Sequence, residues 1–123
     1  MNMDILIADD NADLCNMLKP LLEAHGYSVR LAANGSDALA AQREAPADVL
    51  LTDLFMPEAE GFETIERFRA AFPKTKIVVM SGDSKLARRD YLADARLLGV
   101  EATLRKPFEV RALIDVLECL RSA

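Results

Sequence analysis

The sequence predicts an α/β protein of doubly wound (βα)5 form, a five-stranded parallel sheet with five helices distributed over both faces. Two observations predict it. Five short apolar runs alternate with segments whose apolar residues recur at helical spacing. Four of those runs stop at polar residues: Asp9-Asp10, Asp53, Ser81 and Lys106. Strands that alternate with helices lie parallel, joined by right-handed crossovers, and their polar ends then share one edge.

The first run, Asp4-Ile5-Leu6-Ile7-Ala8, reads as a buried strand ending at Asp9-Asp10. Asp10 or Asn11 can cap the helix that follows, where Leu14, Leu18, Leu21, Leu22 and His25 recur at helical spacing and Gly26 marks the stop. Pro20 lacks a backbone donor and crowds the preceding turn, which predicts a kink over residues 16–20 of a single helix. His25 is the only histidine; with no neighbouring ligands it reads as a helix-end residue rather than a metal ligand. Residues 27–32 read as the second strand, Asn34-Gly35 as a turn, and Ser36 as the cap of a helix carrying Ala38, Leu39, Ala41 and Ala45 ahead of Pro46.

The third run, Val49-Leu50-Leu51-Thr52, is too short for a helix, is bounded by Pro46 and Pro57, and leads into Asp53. A strand covered on both faces has this composition. Gly61 precedes a helix with Phe62, Ile65, Phe68 and Phe72 on one side, closed by Pro73, and core packing accounts for that stripe. Lys76-Ile77-Val78-Val79-Met80 is the fourth strand, ending at Ser81-Gly82-Asp83. Residues 85–98 read as a helix with Leu86, Leu92, Ala95 and Leu98 inward, stopped by Gly99. Residues 102–105 form the last strand, ending at Lys106-Pro107-Phe108, and residues 109–121 the last helix, which buries Val110, Leu113, Ile114, Leu117 and Leu120.

A length of 123 residues suits one domain spanning 1–123. An apolar share of 51% excludes a disordered chain, and no apolar run approaches the roughly 18 residues of a membrane span. The start, Met1-Asn2-Met3-Asp4, has no basic region and the run after it is only Ile5 to Ala8, so a cytoplasmic location is expected. Cys15 and Cys119 are then expected to be reduced, packed thiols without chemistry. Twenty acids against fifteen bases give a formal charge of −5, and the bases are dispersed, which argues against direct nucleic-acid contact.

In a parallel sheet Asp9, Asp10, Asp53, Ser81 and Lys106 converge on the carboxyl edge, where open α/β sheets hold their ligands. Taken singly, each is an ordinary turn residue. Three carboxylates that converge repel by roughly 4 kcal/mol per pair at an effective dielectric near 20. A cation must offset that repulsion, and hard oxygen donors favour Mg²⁺, which keeps several waters and often shares its shell with a phosphoryl group.

The set formed by Asp9-Asp10, Asp53 with Met56-Pro57 and Gly61, Ser81-Gly82, and Lys106-Pro107-Phe108 resembles the response regulator receiver domain, the phosphoacceptor module of two-component signalling, over essentially the whole chain. The resemblance implies a flavodoxin-like fold and an Asp53 that takes a phosphoryl group from a histidine kinase or histidine phosphotransfer protein, then signals to a downstream protein target. It also implies that Asp10 and Asp53 bind Mg²⁺ directly, that Phe55 adds its backbone carbonyl, that Asp9 acts mainly through water, and that the Lys106-Pro107 bond is cis. Lys106 supplies positive charge for the equatorial oxygens of the transferred group, and Ser81 a hydroxyl donor that can report the modification by moving.

Two departures from the family pattern stand out. The family usually has Tyr or Phe three residues before the lysine, and here that residue is Thr103, too small to act as a turning ring, so the switch is expected to depend on Ser81 and backbone movement. The stretch from Ser81 to Lys106 is also a few residues longer than usual, and Arg88, Arg89, Arg96, Arg105 and Arg111 on that side form either a basic patch or a solvated face. Two rival readings are a receiver that binds partners without phosphorylation and a phosphatase of the haloacid dehalogenase type. The phosphatase needs a second acid two residues after its aspartyl nucleophile, where this chain has Phe55.

Overall fold

Each buried apolar run does become a strand, and the sheet they form is wholly parallel. The computed structural model describes residues 3–54, 61–82, 96 and 98–122. In chain order the elements are β1 (Asp4–Ala8), α1 (Ala12–Ala24), β2 (Ser28–Ala32), α2 (Gly35–Glu44), β3 (Val49–Asp53), α3 (Gly61–Ala71), β4 (Lys76–Gly82), β5 (Ala102–Lys106) and α4 (Val110–Ser122). Four helices are thus described rather than the five predicted; the helix expected over residues 85–98 lies outside the described residues, apart from Arg96, which is helical, and Leu98.

The strand order β2-β1-β3-β4-β5 reverses direction between β1 and β3. That reversal opens a crevice above the carboxyl ends of these two strands, the strands that run into Asp9-Asp10 and Asp53. Alternate residues of the central strands β1, β3 and β4 serve two separate cores. Leu6, Leu50, Ile77 and Val79 pack with Ala38 and Leu39 of α2 and Ile65 and Phe68 of α3. On the opposite face Ile5, Ile7, Leu51 and Val78 pack with Leu18 and Leu22 of α1 and Leu113 and Leu117 of α4. Burial of both faces explains why these strands read as unbroken apolar runs.

Local chemistry sets the ends. The Asn11 side chain accepts the Leu14 N–H at 3.1 Å and caps α1, which runs unbroken through Pro20 and ends at His25, followed by Gly26 at φ 90°. His25 Nδ1 lies 2.9 Å from the Leu21 carbonyl oxygen, a helix-end contact as expected. For α2 the cap is Asn34, not Ser36: the Asn34 side chain accepts the Asp37 N–H at 2.8 Å, and Gly35 and Ser36 already belong to the helix. Strand β4 runs past Met80 because Ser81 and Gly82 still pair with Arg105 and Lys106 of β5. The Lys106–Pro107 peptide is cis. Both cysteines are free, but only Cys15 is buried; Cys119 lies on the exposed side of α4 and is not packed.

Candidate functional site

The edge above β1, β3 and β5 gathers charge from the two extremes of the chain. Asp9 is buried, and its two carboxylate oxygens have different partners: Oδ1 accepts the Asn11 N–H at 2.9 Å and Oδ2 accepts the Lys106 ammonium at 2.7 Å. Lys106 also donates to Asp53 Oδ2 at 3.3 Å, so one ammonium spans two carboxylates. Asp53 is 7% exposed, whereas Asp10 faces solvent. One carboxylate oxygen from each of Asp9, Asp10 and Asp53 falls within a mutual distance of 4.8 Å. Asn11 has two functions here: its side chain caps α1 while its N–H fixes the Asp9 carboxylate.

Ser81 sits on the next strand, one residue past Met80, which is the register partner of Asp53. It is buried, and its hydroxyl donates to the Gly82 carbonyl at 3.3 Å. The predicted residues Asp9, Asp10, Asp53 and Lys106 are thus brought together, with Ser81 on the adjacent strand end. Phe55, together with Met56-Pro57, lies outside the described residues. Of the arginines flagged above, Arg111 pairs with Asp115 on an exposed helix face and Arg96 with the Thr103 hydroxyl, while Arg88 and Arg89 lie outside the described residues.

Three carboxylates and one ammonium leave a formal charge of −2 (−3 + 1) around this edge. Burial pulls the Lys106 ammonium towards deprotonation, but the hydrogen bond to Asp9 and the charges of Asp53 and Asp9 outweigh it and hold its pKa above the ordinary lysine value. The residual charge and all-oxygen donor set suit a hard divalent cation. Asp9, Asp10 and Asp53 together form a group of oxygen donors that could hold one, and Asp9 has a donor on each of its oxygens.

Cys15, which sequence reasoning set aside, lies directly beneath the site. Its thiol donates to the Asp9 carbonyl at 3.6 Å, and burial first, then the Asp9 charge, push its pKa up to about 11. Its place in the first turn of α1, six residues after Asp9, is the only signal the sequence offers. The folded state therefore holds this proton more tightly than the unfolded chain does. Stability from this source is complete below the ordinary thiol value of 9.0 and is lost as pH rises through about 11. Lys106, also raised, acts in the same direction above the lysine range. Urea unfolding under reducing conditions should show wild type losing roughly 1–2 kcal/mol more than Cys15→Ala between about pH 8 and about pH 10.5. Parallel pH profiles would refute the buried thiol.

A groove of about 530 Å³ adjoins the site, walled by Leu14, Met17, Pro107 and Phe108 with Lys106 at its polar end. Met17 and, further along α1, Leu21 are large apolar side chains left exposed.

A doubly wound parallel sheet that gathers acids and a lysine at its carboxyl edge, beside the point where strand order reverses, defines a ligand-binding class of open α/β domains. The family model described as "Response regulator receiver domain" matches residues 5–118, and the chain belongs to that family, the phosphoacceptor domains of two-component signalling. The response regulator receiver protein CpdR of Brucella abortus is 35% identical over 117 residues, covering 93% of this chain and 92% of that protein. The transcriptional regulatory protein ZraR of Salmonella typhimurium is 35% identical over 116 residues; the match covers 94% of this chain but only 26% of ZraR, so this chain spans about a quarter of that relative's length. Among solved structures, the chemotaxis response regulator CheY4 of Vibrio cholerae superposes with a TM-score of 0.85 at 27% identity, covering 98% of this chain and 99% of CheY4. A receiver domain protein from Clostridium thermocellum gives 0.86 at 26% identity, covering 96% of this chain and 93% of that one.

Proposed function

We propose that residues 1–123 act as one receiver domain in which Asp53 is the nucleophile and carries the signal as an acyl phosphate. The observation that supports this most is the Lys106 ammonium bridging Asp9 and Asp53 with Asp10 alongside, a cation already aimed at the oxygens of the reacting group. An Asp53 carboxylate oxygen attacks phosphorus, the new O–P bond forms as the donor's N–P bond breaks, and the departing imidazole nitrogen recovers a proton. Asp10 and Asp53, with the Phe55 carbonyl, would hold Mg²⁺, which supplies positive charge to the transferred oxygens. Asp9, engaged on both oxygens, orients Lys106 and would act on a bound metal only through water. The Ser81 hydroxyl must leave the Gly82 carbonyl to donate to the phosphoryl group, and that turn starts the conformational response.

The donor in this reading is a phosphohistidine of a kinase or phosphotransfer protein, and the apolar groove beside Lys106 suits a partner helix that presents it. The output is a downstream protein target; the domain assists its own modification and its loss, and turns over no separate substrate. No helix among the described residues is long and apolar enough to cross a membrane.

Incubation with phosphoramidate and Mg²⁺, followed by intact-mass measurement, should show the gain of one phosphoryl group. Asp10→Ala should weaken Mg²⁺ binding at least tenfold, because one charged oxygen ligand is gone and the site's net negative charge is reduced by one. Failure of the wild type to gain mass would refute the reading. Unchanged Mg²⁺ affinity in Asp10→Ala would remove Asp10 from the ligand set.

A further inference from the structure

Thr103 is more than a small residue in a strand. Its hydroxyl accepts two hydrogen bonds from one guanidinium, from Arg96 Nε at 3.2 Å and Arg96 Nη2 at 3.0 Å. Arg96 precedes the turn at Gly99, whose N–H bonds to the Arg96 carbonyl at 3.0 Å. From that turn onward the chain is held by α3: Arg69 donates to the Gly99 carbonyl and pairs with Glu101, and Glu101 in turn accepts the Ile77 N–H of β4. The Arg96 contact is exposed and depends on a single oxygen, so it is the weak end of this clasp.

Its position ties it to the site. Val79 pairs with Thr103 and Ser81 with Arg105, so Ser81 and Thr103 stand on the same face of adjacent strands, two residues apart in register. On the phosphoacceptor reading above, the Ser81 hydroxyl leaves the Gly82 carbonyl for a phosphoryl oxygen, and a displacement of the end of β4 that accompanies this would be passed to its ladder partners in β5. Two donors converging on one hydroxyl oxygen tolerate little displacement, since hydrogen bonds weaken steeply with distance and angle.

Resting on the phosphoacceptor reading above, we propose that the Arg96–Thr103 contact is a latch that holds the unmodified conformation and is released when Asp53 is phosphorylated. A contact made in only one of two states biases the equilibrium towards that state. Removing it raises the population of the phosphorylation-ready conformer, and with it the rate at which a small donor labels Asp53.

The test is the initial rate of labelling by phosphoramidate with saturating Mg²⁺ in wild type, Thr103→Val, Arg96→Gln and the double variant. Thr103→Val keeps the branched shape and removes only the hydroxyl, and Arg96 is exposed, so neither change threatens the fold. Each single variant should label roughly 2- to 10-fold faster, the range that one hydrogen bond supplies. The double variant should be no faster than the faster single, because both changes break the same contact. A wild type that labels with variants that match it, or a double variant whose rate multiplies the two single effects, overturns the latch alone. A wild type that does not label at Asp53 overturns the phosphoacceptor reading and the latch together.

Discussion

Asp53→Asn is expected to take up no phosphoryl group under conditions that label the wild type fully. The amide has the size and shape of the carboxylate but is a very poor nucleophile towards phosphorus, so the loss should be complete rather than partial. The fold should survive the change, because Lys106 keeps its shorter contact to Asp9 and the strand ladder through residue 53 is made by backbone groups. Intact-mass analysis after exposure to phosphoramidate and Mg²⁺, with circular dichroism as the control for folding, separates chemistry from stability. Equal labelling of Asp53→Asn would move the phosphoacceptor to another residue, and Asp10, the exposed member of the triad, would be the first to examine.

Gly61→Ala is expected to destabilise the protein by at least about 3 kcal/mol. Helix propensity alone predicts the reverse, since alanine is favoured over glycine within a helix by roughly 1 kcal/mol. Sterics decide the sign. A Cβ at residue 61 would lie 2.3 Å from Leu54 Cα and 2.6 Å from the carbonyl oxygens of Asp53 and Leu54, all backbone atoms with no side chain able to move aside. The helix start would have to lift off the end of β3, breaking the 2.9 Å hydrogen bond from the Gly61 N–H to the Leu54 carbonyl and loosening Ile65 and Phe68 from the core. Urea denaturation measures the effect, and a loss below about 1 kcal/mol would mean that α3 is not seated as described.

The strands were legible because burial of both faces leaves a run of apolar residues with little else to be, as in Val49-Leu50-Leu51. Convergence of Asp9, Asp10, Asp53 and Lys106 was legible because a parallel sheet sends every strand end to one edge. Caps were less certain: Asn34 and Ser36 are both good N-caps, and only the backbone decides which of them precedes the first helical residue. The ends of β4 and β5 ran past the apolar residues because the ladder pairs backbone groups and is indifferent to the hydroxyl of Ser81 or the charge of Lys106. Cys119 illustrates the limit of periodicity, which places it two positions after buried Leu117 and one before half-buried Leu120 without saying that its own side faces water. Contacts such as Cys15 to the Asp9 carbonyl, or Arg96 to Thr103, join residues through side-chain reach, and no one-dimensional pattern encodes reach.

The ammonium and carboxylate that meet at 2.7 Å, Lys106 and Asp9, are separated by 97 residues of chain. Lys106 is contributed by an edge strand that must dock against β4 before it can point at anything. A nascent chain that has already formed β1 to β4 thus carries the acids without their counter-charge, and loop closure over such a span is among the slower contacts to form. On the phosphoacceptor reading proposed above, the full set of charges at the site is therefore assembled only when β5 docks.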